Sequence, residues 1–137
     1  MPGDIGCDPL RVLVIEDEGL VALQLQQELR DLGYRVVGPA SSVETALQLI
    51  DAESIEVALL DINLRGESAL PVAAALHRRG IPFAVVTGYG TERMDGLLGQ
   101  VPCLLKPFLA SDLAELFREL LGRGRRSERE PRLGGAD

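Results

Sequence analysis

The sequence predicts an α/β domain built on a doubly wound, five-stranded parallel sheet. Short apolar runs alternate along the chain with segments in which apolar residues recur at helical spacing. The apolar runs are continuous, which is typical of parallel strands whose two faces are both covered by helices. Right-handed crossovers leave few topologies for such a chain, and five strands favour the order 2-1-3-4-5.

The elements follow one another as five strand–helix units. The strands are predicted over residues 11–15, 34–37, 56–61, 82–87 and 101–105, and the helices over residues 20–32, 41–52, 68–79, 91–98 and 110–121. Gly33 ends the first helix, and Ser41 and Glu44 match a capping box at the start of the second. The fourth helix is weak, because Gly96 and Gly99 interrupt it.

Length and composition fit a single domain. The chain has 137 residues, of which 46% are hydrophobic and 26% are charged. We expect a folded domain over residues 9–122, a disordered lead-in over residues 1–8 and a disordered Arg-rich tail over residues 123–137. The net charge of −7 disfavours direct binding to nucleic acid, because such proteins normally present a basic face.

The chain also lacks the sequence signals of export or membrane insertion. Its longest stretch without a charged residue, residues 80–91, has twelve residues, whereas a membrane span needs about 20. The first residues carry neither a basic region nor an apolar run, so no signal peptide is predicted. Two isolated cysteines, Cys7 and Cys103, make no disulfide framework and no zinc site. We therefore expect a cytoplasmic protein.

Charged and polar side chains stand where four of the five strands end. Because the carboxyl ends of parallel strands meet at one edge of a sheet, these side chains are expected to converge on one crevice. They are Glu16, Asp17 and Glu18 after the first strand, Asp61 and Asn63 at the third, Thr87 at the fourth and Lys106 after the fifth. Lys106 is the sole Lys beside 13 Arg residues.

These residue types together indicate phosphoryl transfer. Three close carboxylates would raise one another's pKa unless a cation lay among them, and a site of oxygen ligands without His or Cys favours Mg²⁺. Lys106 can offset only one of these charges. A metal ion and a fixed ammonium can neutralise the phosphoryl oxygens while the Asp61 carboxylate attacks, and Thr87 can donate a hydrogen bond to the same group.

Each residue taken alone has a simpler explanation. Glu16, Asp17 and Glu18 could merely favour the dipole of the helix that follows them, and Asp61 could be a turn or capping residue. A Thr at the end of a strand is common. The functional interpretation depends on their joint occurrence, in order, on strands one, three, four and five.

On these residues the chain resembles the receiver domain of two-component response regulators over about residues 9–122. The matching pieces are the acidic pair Glu16-Asp17, Asp61 after an apolar strand, Thr87-Gly88 and the run from Lys106 to Phe108. The resemblance implies a flavodoxin-like three-layer sandwich in which Asp61 is the phosphoacceptor and Thr87 and Lys106 bind the phosphoryl oxygens. It also implies a Mg²⁺ ion, held by the residues Glu16, Asp17, Asp61 and, through its backbone carbonyl, Asn63.

The chain departs from the usual family pattern at Glu16, where Asp is commoner, and again at position 103. The family usually has an aromatic switch residue three positions before the Lys, and here that position is Cys103. Residues 82–90 instead resemble a subfamily of single-domain regulators with a Phe-Ala-Thr-Gly-type signature, whose usual partners are HWE-type histidine kinases. Tyr89 could shield the phosphoryl group or replace the missing switch, or it could be an exposed residue of a Gly-flanked loop.

The resemblance implies a single-domain response regulator that is not a classical enzyme. A sensor histidine kinase or phosphotransfer protein would phosphorylate Asp61, and the domain would then switch its binding to an unidentified protein partner or act as a phosphate sink. We expect a monomer or a weak, phosphorylation-dependent dimer. Two alternatives stay open: a phosphorylation-independent scaffold, and a phosphatase of the haloacid-dehalogenase type. The phosphatase would need Asp-x-Asp after its first strand, where this chain has Glu16-Asp17-Glu18.

Overall fold

The computed structural model describes residues 9–64, 66–88 and 96–129, and only the backbone of residues 123–129. Within these ranges strands and helices alternate along the chain. The strands are β1 (Arg11–Ile15), β2 (Arg35–Ala40), β3 (Val57–Asp61), β4 (Phe83–Thr87) and β5 (Cys103–Leu105). The helices are α1 (Gly19–Asp31), α2 (Val43–Ala52), α3 (Leu70–Arg78), α4 (Gly96–Gly99) and α5 (Ala110–Arg129). No helix in the described part of the chain is both long and apolar enough to cross a membrane.

The five strands form one parallel sheet in the order β2-β1-β3-β4-β5, which confirms the predicted fold. Strand β1, inside the sheet, pairs with β2 on one side and β3 on the other, so that Val12 lies beside both Val36 and Val57. The chain therefore changes direction across the sheet between β1 and β3, and this is where a doubly wound sheet offers a binding crevice.

Two apolar layers hold the helices against the sheet. Leu13 of β1 faces the layer that Ile50 of α2 and Leu76 of α3 complete, whereas its neighbour Val12 faces Leu25 of α1 and Phe117 of α5. Successive residues of a strand point to opposite faces, so a continuous apolar strand supplies both layers. Each large side chain buried in this way contributes about 1.5–3 kcal/mol to folding.

The residue that caps α2 lies one position later than predicted, and the helix begins at Val43. Ser42 caps the helix, and its hydroxyl accepts a hydrogen bond from the backbone N–H of Thr45 at 3.1 Å. The predicted capping box of Ser41 and Glu44 is therefore wrong. Both serines precede the same apolar periodicity, and sequence pattern alone locates a helix end only to within a residue or two.

Helix α5 continues to Arg129, beyond its predicted end at Leu121. Gly122 and Gly124 each weaken a helix by only about 1 kcal/mol, and the Arg and Glu residues around them are good helix formers. The part of the predicted disordered tail up to Arg129 is therefore helical in the structure. Residues 130–137, the lead-in over residues 1–8, residues 91–95 of the predicted fourth helix and Tyr89 lie outside the described residues.

Candidate functional site

The carboxyl edge of the sheet brings together the polar residues that the sequence singles out. Glu16 directly follows β1, while Asp61 and Thr87 are the last residues of the neighbouring strands β3 and β4. Parallel pairing sets Asp61 beside Val86 and Thr87 beside Leu105, so that Lys106 follows at the same level. A cleft of about 580 Å³ opens here, lined by Asp17, Glu18, Asp61, Asn63, Gly66, Thr87, Gly88 and Lys106.

Three carboxyl groups form an acidic cluster at this cleft. Glu16, Asp17 and Asp61 each place one carboxylate oxygen within 4.8 Å of the other two. Glu16 is 2% exposed and Asp61 is 4% exposed, whereas Asp17 is only partly buried. Two of the three charges are thus withdrawn from water, and close like charges in such a place repel strongly.

The pKa values of Glu16 and Asp61 reflect the crowding of carboxylates in the acidic cluster. Burial, and then the adjacent Asp61 carboxyl, raise the pKa of Glu16 from 4.5 to about 7, although Lys106 partly opposes them. Burial also raises the pKa of Asp61, which the backbone N–H of Asn63 and the Lys106 ammonium lower in part. The site is therefore short of positive charge.

Lys106 supplies a cation to the acidic cluster. Its Nζ atom lies 3.3 Å from Oε2 of Glu16, 3.7 Å from Oδ2 of Asp61 and 3.6 Å from Oε1 of Glu18. Burial lowers the pKa of Lys106, but the Asp61, Glu16 and Glu18 carboxylates together outweigh burial and raise it. The ammonium stays charged and faces more carboxylates than it can neutralise.

Backbone groups hold the acidic side chains in place. The N–H of Asn63 donates to Oδ1 of Asp61 at 3.0 Å, a turn in which an Asp binds the backbone two residues later. In the same way, the N–H of Glu18 donates to Oε2 of Glu16 at 3.2 Å. One oxygen of each buried carboxylate therefore has a fixed partner. The other oxygen of Asp61 lies on the Lys106 side.

The surroundings of the other Glu16 oxygen, Oε1, fit a metal ion. Oε1 of Glu16 is buried and has no hydrogen-bond partner among the described residues. A buried carboxylate oxygen without a partner costs free energy unless a cation satisfies it. The oxygens around it come from Asp17 and Asp61. Since this set contains only oxygen ligands, it suits Mg²⁺ better than a metal that prefers nitrogen or sulfur.

Two contributions to the cleft are missing from the sequence prediction. Gly66 lines the cleft with φ of +83°, a left-handed conformation that favours glycine. Its place in the loop after an acid-ended strand is the signal that could have pointed to it. Glu18 was expected only as one more acid, whereas the structure pairs it with Lys106. Cys103, at the position of the missing aromatic residue, is partly buried at the start of β5.

Comparison with known proteins points to one family. The profile of the response regulator receiver domain matches residues 12–118. The chain is 37% identical over 115 residues to the positive alginate biosynthesis regulatory protein of Pseudomonas aeruginosa, covering 80% of this chain and 46% of that protein. It is 31% identical over 110 residues to the transcriptional regulatory protein PdtaR of Mycobacterium tuberculosis, covering 77% of this chain and 53% of that protein. The chain thus spans about half the length of these curated relatives.

Solved structures agree with that match. SdrG from Sphingomonas melonis Fr1 is 38% identical with a TM-score of 0.75, over 82% of this chain and 97% of the SdrG chain. The response regulator TrrA from Thermotoga maritima, solved in complex with Mg²⁺-BeF, is 27% identical with a TM-score of 0.72, over 81% of this chain and 98% of its own. Sheet order, acidic cluster and family profile coincide, and the chain therefore belongs to the response regulator receiver domain family of two-component systems.

Proposed function

We propose that this chain is a phosphoacceptor whose Asp61 takes a phosphoryl group from a sensor histidine kinase or a phosphotransfer protein. Receiver domains are signalling domains rather than classical enzymes, and they interact with proteins of those two kinds. The observation that carries the proposal for this chain is the Asp61 carboxylate. It is nearly buried at the end of β3, between the Asn63 N–H and the Lys106 ammonium.

The geometry supports Asp61 as the nucleophile. Its Oδ1 atom is held by Asn63, while Oδ2 lies at the cleft within 3.7 Å of Nζ of Lys106. In the transfer, a carboxylate oxygen of Asp61 forms a bond to phosphorus as the bond from phosphorus to the donor nitrogen breaks. The electron pair of that broken bond stays on the donor imidazole, and the product on this chain is an acyl phosphate.

Lys106 and Thr87 then bind the phosphoryl oxygens. The ammonium of Lys106 can turn from the carboxylates toward the new negative charge, since its side chain remains 19% exposed in the cleft. Thr87 ends β4 and lines the same cleft, so its hydroxyl is placed to donate a hydrogen bond to the phosphoryl group. Fixed donors of this kind stabilise charge that develops on the transferred group.

Mg²⁺ is the proposed cofactor, and the residues present fit it. The clustered carboxylates of Glu16, Asp17 and Asp61 would hold it. The family resemblance adds the backbone carbonyl of Asn63 as a further ligand. When bound, it neutralises phosphoryl oxygens and relieves the repulsion among the three carboxylates. Glu16 contributes a buried oxygen that lacks another partner, and Asp17 closes the cluster from its partly exposed side.

We further propose a cytoplasmic, single-domain regulator with an HWE-type kinase as its phosphodonor. The segment over residues 82–88 and the match over 97% of the SdrG chain support this subfamily. A surface for the donor is also available. Leu20 and Leu23 on α1 and Leu109 just before α5 are exposed large apolar side chains, in the segments that follow the site residues Glu18 and Lys106. We also propose that residues 9–122 form the folded receiver domain and that the Arg-rich segment after residue 122 is a tail to it.

Phosphoryl transfer to Asp61 is testable by intact mass. The protein is incubated with Mg²⁺ and phosphoramidate beside the variants Asp61→Asn and Asp31→Asn. Asp31 is an exposed carboxylate at the end of α1, so its variant is a matched control. We expect one phosphoryl adduct on the wild type and on Asp31→Asn, and none on Asp61→Asn or without Mg²⁺.

The absence of an adduct on the folded wild type has two explanations that a second measurement separates. Beryllium fluoride mimics a phosphoryl group on a carboxylate and does not turn over. A Mg²⁺-dependent complex with beryllium fluoride would indicate rapid hydrolysis of the acyl phosphate. Failure to form that complex would instead support a phosphorylation-independent scaffold. The haloacid-dehalogenase alternative finds no support, because the family match assigns the chain to receiver domains.

A further inference from the structure

The pairing between β1 and β2 contains one extra residue on β2. Leu13 lies beside Val37, whereas Ile15, two residues later, lies beside Ala40, three residues later. An even register would place Pro39 beside Ile15. The extra residue is a bulge in a parallel pair, where such irregularities are rare and commonly lie beside functional sites. We call residues 38–40 the β2 bulge.

Glycine is required where the β2 bulge begins. Gly38 has φ of +95°, and a Cβ added there would lie 2.9 Å from the backbone N of Ala40 and 3.0 Å from the backbone O of Val14. Both are main-chain atoms of the paired strands, so neither can move aside as a flexible side chain would. A residue other than glycine would therefore strain this backbone and push β2 away from β1.

The consequence of the bulge appears at the acidic cluster. The backbone N–H of Glu16 donates to the carbonyl of Ala40 at 2.9 Å. Pairing with β2 thus continues past the end of β1 to the first residue of the site. A Cβ at Gly38 would meet the backbone N of Ala40 and the backbone O of Val14, the atoms that lie between the two strands just before this hydrogen bond. Relief of that contact would move Ala40 away from β1 and weaken the hydrogen bond that fixes the main chain of Glu16.

We propose that Gly38 is a positioning residue, which acts through Ala40 to hold Glu16 for Mg²⁺. This inference rests on the proposed function, because it takes Glu16 as part of the Mg²⁺ site. The main chain of Glu16 is held by Ala40, and its Oε2 atom by Glu18 and Lys106. The remaining oxygen, Oε1, is buried, has no hydrogen-bond partner among the described residues and is left for the ion.

The test compares Gly38→Ala with Val37→Ala. Val37 is a buried core residue of the same strand, so its truncation costs stability without adding a Cβ at the bulge. Mg²⁺ affinity is measured by isothermal titration calorimetry at a temperature where circular dichroism finds both variants folded. Hydrogen exchange of the Glu16 amide is measured without Mg²⁺. A purely structural role for Gly38 would lower stability in both variants and leave affinity alone.

We expect Gly38→Ala to weaken Mg²⁺ binding by about 10-fold or more, the usual effect of removing a partner that orients a metal ligand. It should also speed exchange of the Glu16 amide, whereas Val37→Ala keeps Mg²⁺ affinity within about twofold. Should Gly38→Ala not fold, Gly38→Asn takes its place, since Asn tolerates positive φ better and still adds a Cβ.

Three results overturn the inference, and a fourth identifies a different failure. Unchanged Mg²⁺ affinity in the Gly38 variant, or an equal loss in Val37→Ala, would reduce the bulge to a structural feature. An unchanged exchange rate of the Glu16 amide would contradict its anchoring by Ala40. If the wild type itself binds no Mg²⁺, the proposed cofactor fails and this inference fails with it.

Discussion

The Lys106 ammonium lies 3.7 Å from the Asp61 carboxylate, although β4 separates the strands that carry the two residues. The contact is possible because all the strands run in parallel and Lys106 comes one step after β5 ends. The same ammonium also contacts Glu16 and Glu18. Among the described residues that line the cleft, it is therefore the cation on which the charge balance depends.

Replacing Lys106 tests the need for a compact cation. We expect Lys106→Met to slow adduct formation from phosphoramidate by about 100-fold, because a preorganised cation facing the transferred group is lost. Lys106→Arg should recover only part of the rate, since a planar guanidinium cannot reproduce a point charge at the same atoms. Intact mass against time gives the rates. Arg79→Met removes a cation paired with Asp51 outside the cleft and is the control. Equal rates for Lys106→Met and the wild type would contradict the assigned role.

The Thr87 hydroxyl is tested by two substitutions of different chemistry. Thr87→Ala should lower the rate of adduct formation by about tenfold, because the phosphoryl oxygens lose one of their donors while Lys106 remains. Thr87→Ser keeps the hydroxyl and should stay within about threefold of the wild type. Thermal unfolding of both variants separates chemistry from the loss of a buried methyl group. A Ser variant as slow as the Ala variant would show that shape, not hydrogen bonding, matters at this position.

The negative charge of Glu18 is predicted to slow the phosphorylation of Asp61. Its carboxylate lies 3.6 Å from Nζ of Lys106 and is 66% exposed, so solvent screens the pair. Glu18→Gln should speed phosphorylation by an anionic small donor about two- to fivefold, since the donor meets less negative charge and a freer ammonium. The gain should shrink as salt is added. Glu44→Gln, an exposed acid on α2, is the control. A gain that is equal in the control, or insensitive to salt, would point to another cause.

The raised pKa of Glu16 predicts how stability depends on pH when Mg²⁺ is absent. Between about pH 4.5 and about pH 7 the folded chain keeps a proton on Glu16 that the unfolded chain releases, because the folded pKa is about 7. The free energy of unfolding should therefore fall as pH rises through this window, by roughly 1–3 kcal/mol. Glu16→Gln cannot titrate and should lose that part of the dependence.

Urea unfolding in a metal chelator at about pH 5 and about pH 8 checks this prediction. Comparing Glu16→Gln with Glu44→Gln distinguishes the effect of a buried acid on the pH dependence of stability from that of an exposed acid. Saturating Mg²⁺ should restore stability at the higher pH, because the ion replaces the proton among the carboxylates. If Glu16→Gln keeps the pH-dependent loss of stability that the wild type shows, the effect belongs to another group.

The fold and most of the site could be predicted because their signals are local. Continuous apolar runs such as residues 11–15 identify buried parallel strands, and the polar residues that end them, including Asp61 and Thr87, mark one edge of the sheet. The convergence then follows from topology alone, since parallel strands deliver their ends to the same side.

What the sequence could not predict depends on register and loop conformation. The β2 bulge exists only in the alignment of β1 with β2, and no single segment encodes the hydrogen bond from Glu16 to Ala40. The contact of Glu18 with Lys106 likewise joins two loops from distant parts of the chain. The capping of α2 by Ser42 was missed for a smaller reason, because two adjacent serines satisfy the same pattern.

The position of Lys106 also gives the chain a built-in chemical reporter. It is the only lysine of the sequence, so its ε-amino group is the sole side-chain amine that an acylating reagent can modify. That amine lies in the cleft with 19% of its side chain exposed. Protection of this single position from an amine-directed label would therefore register occupancy of the cleft by an ion, a phosphoryl mimic or a docked protein, without a tag and without a substitution.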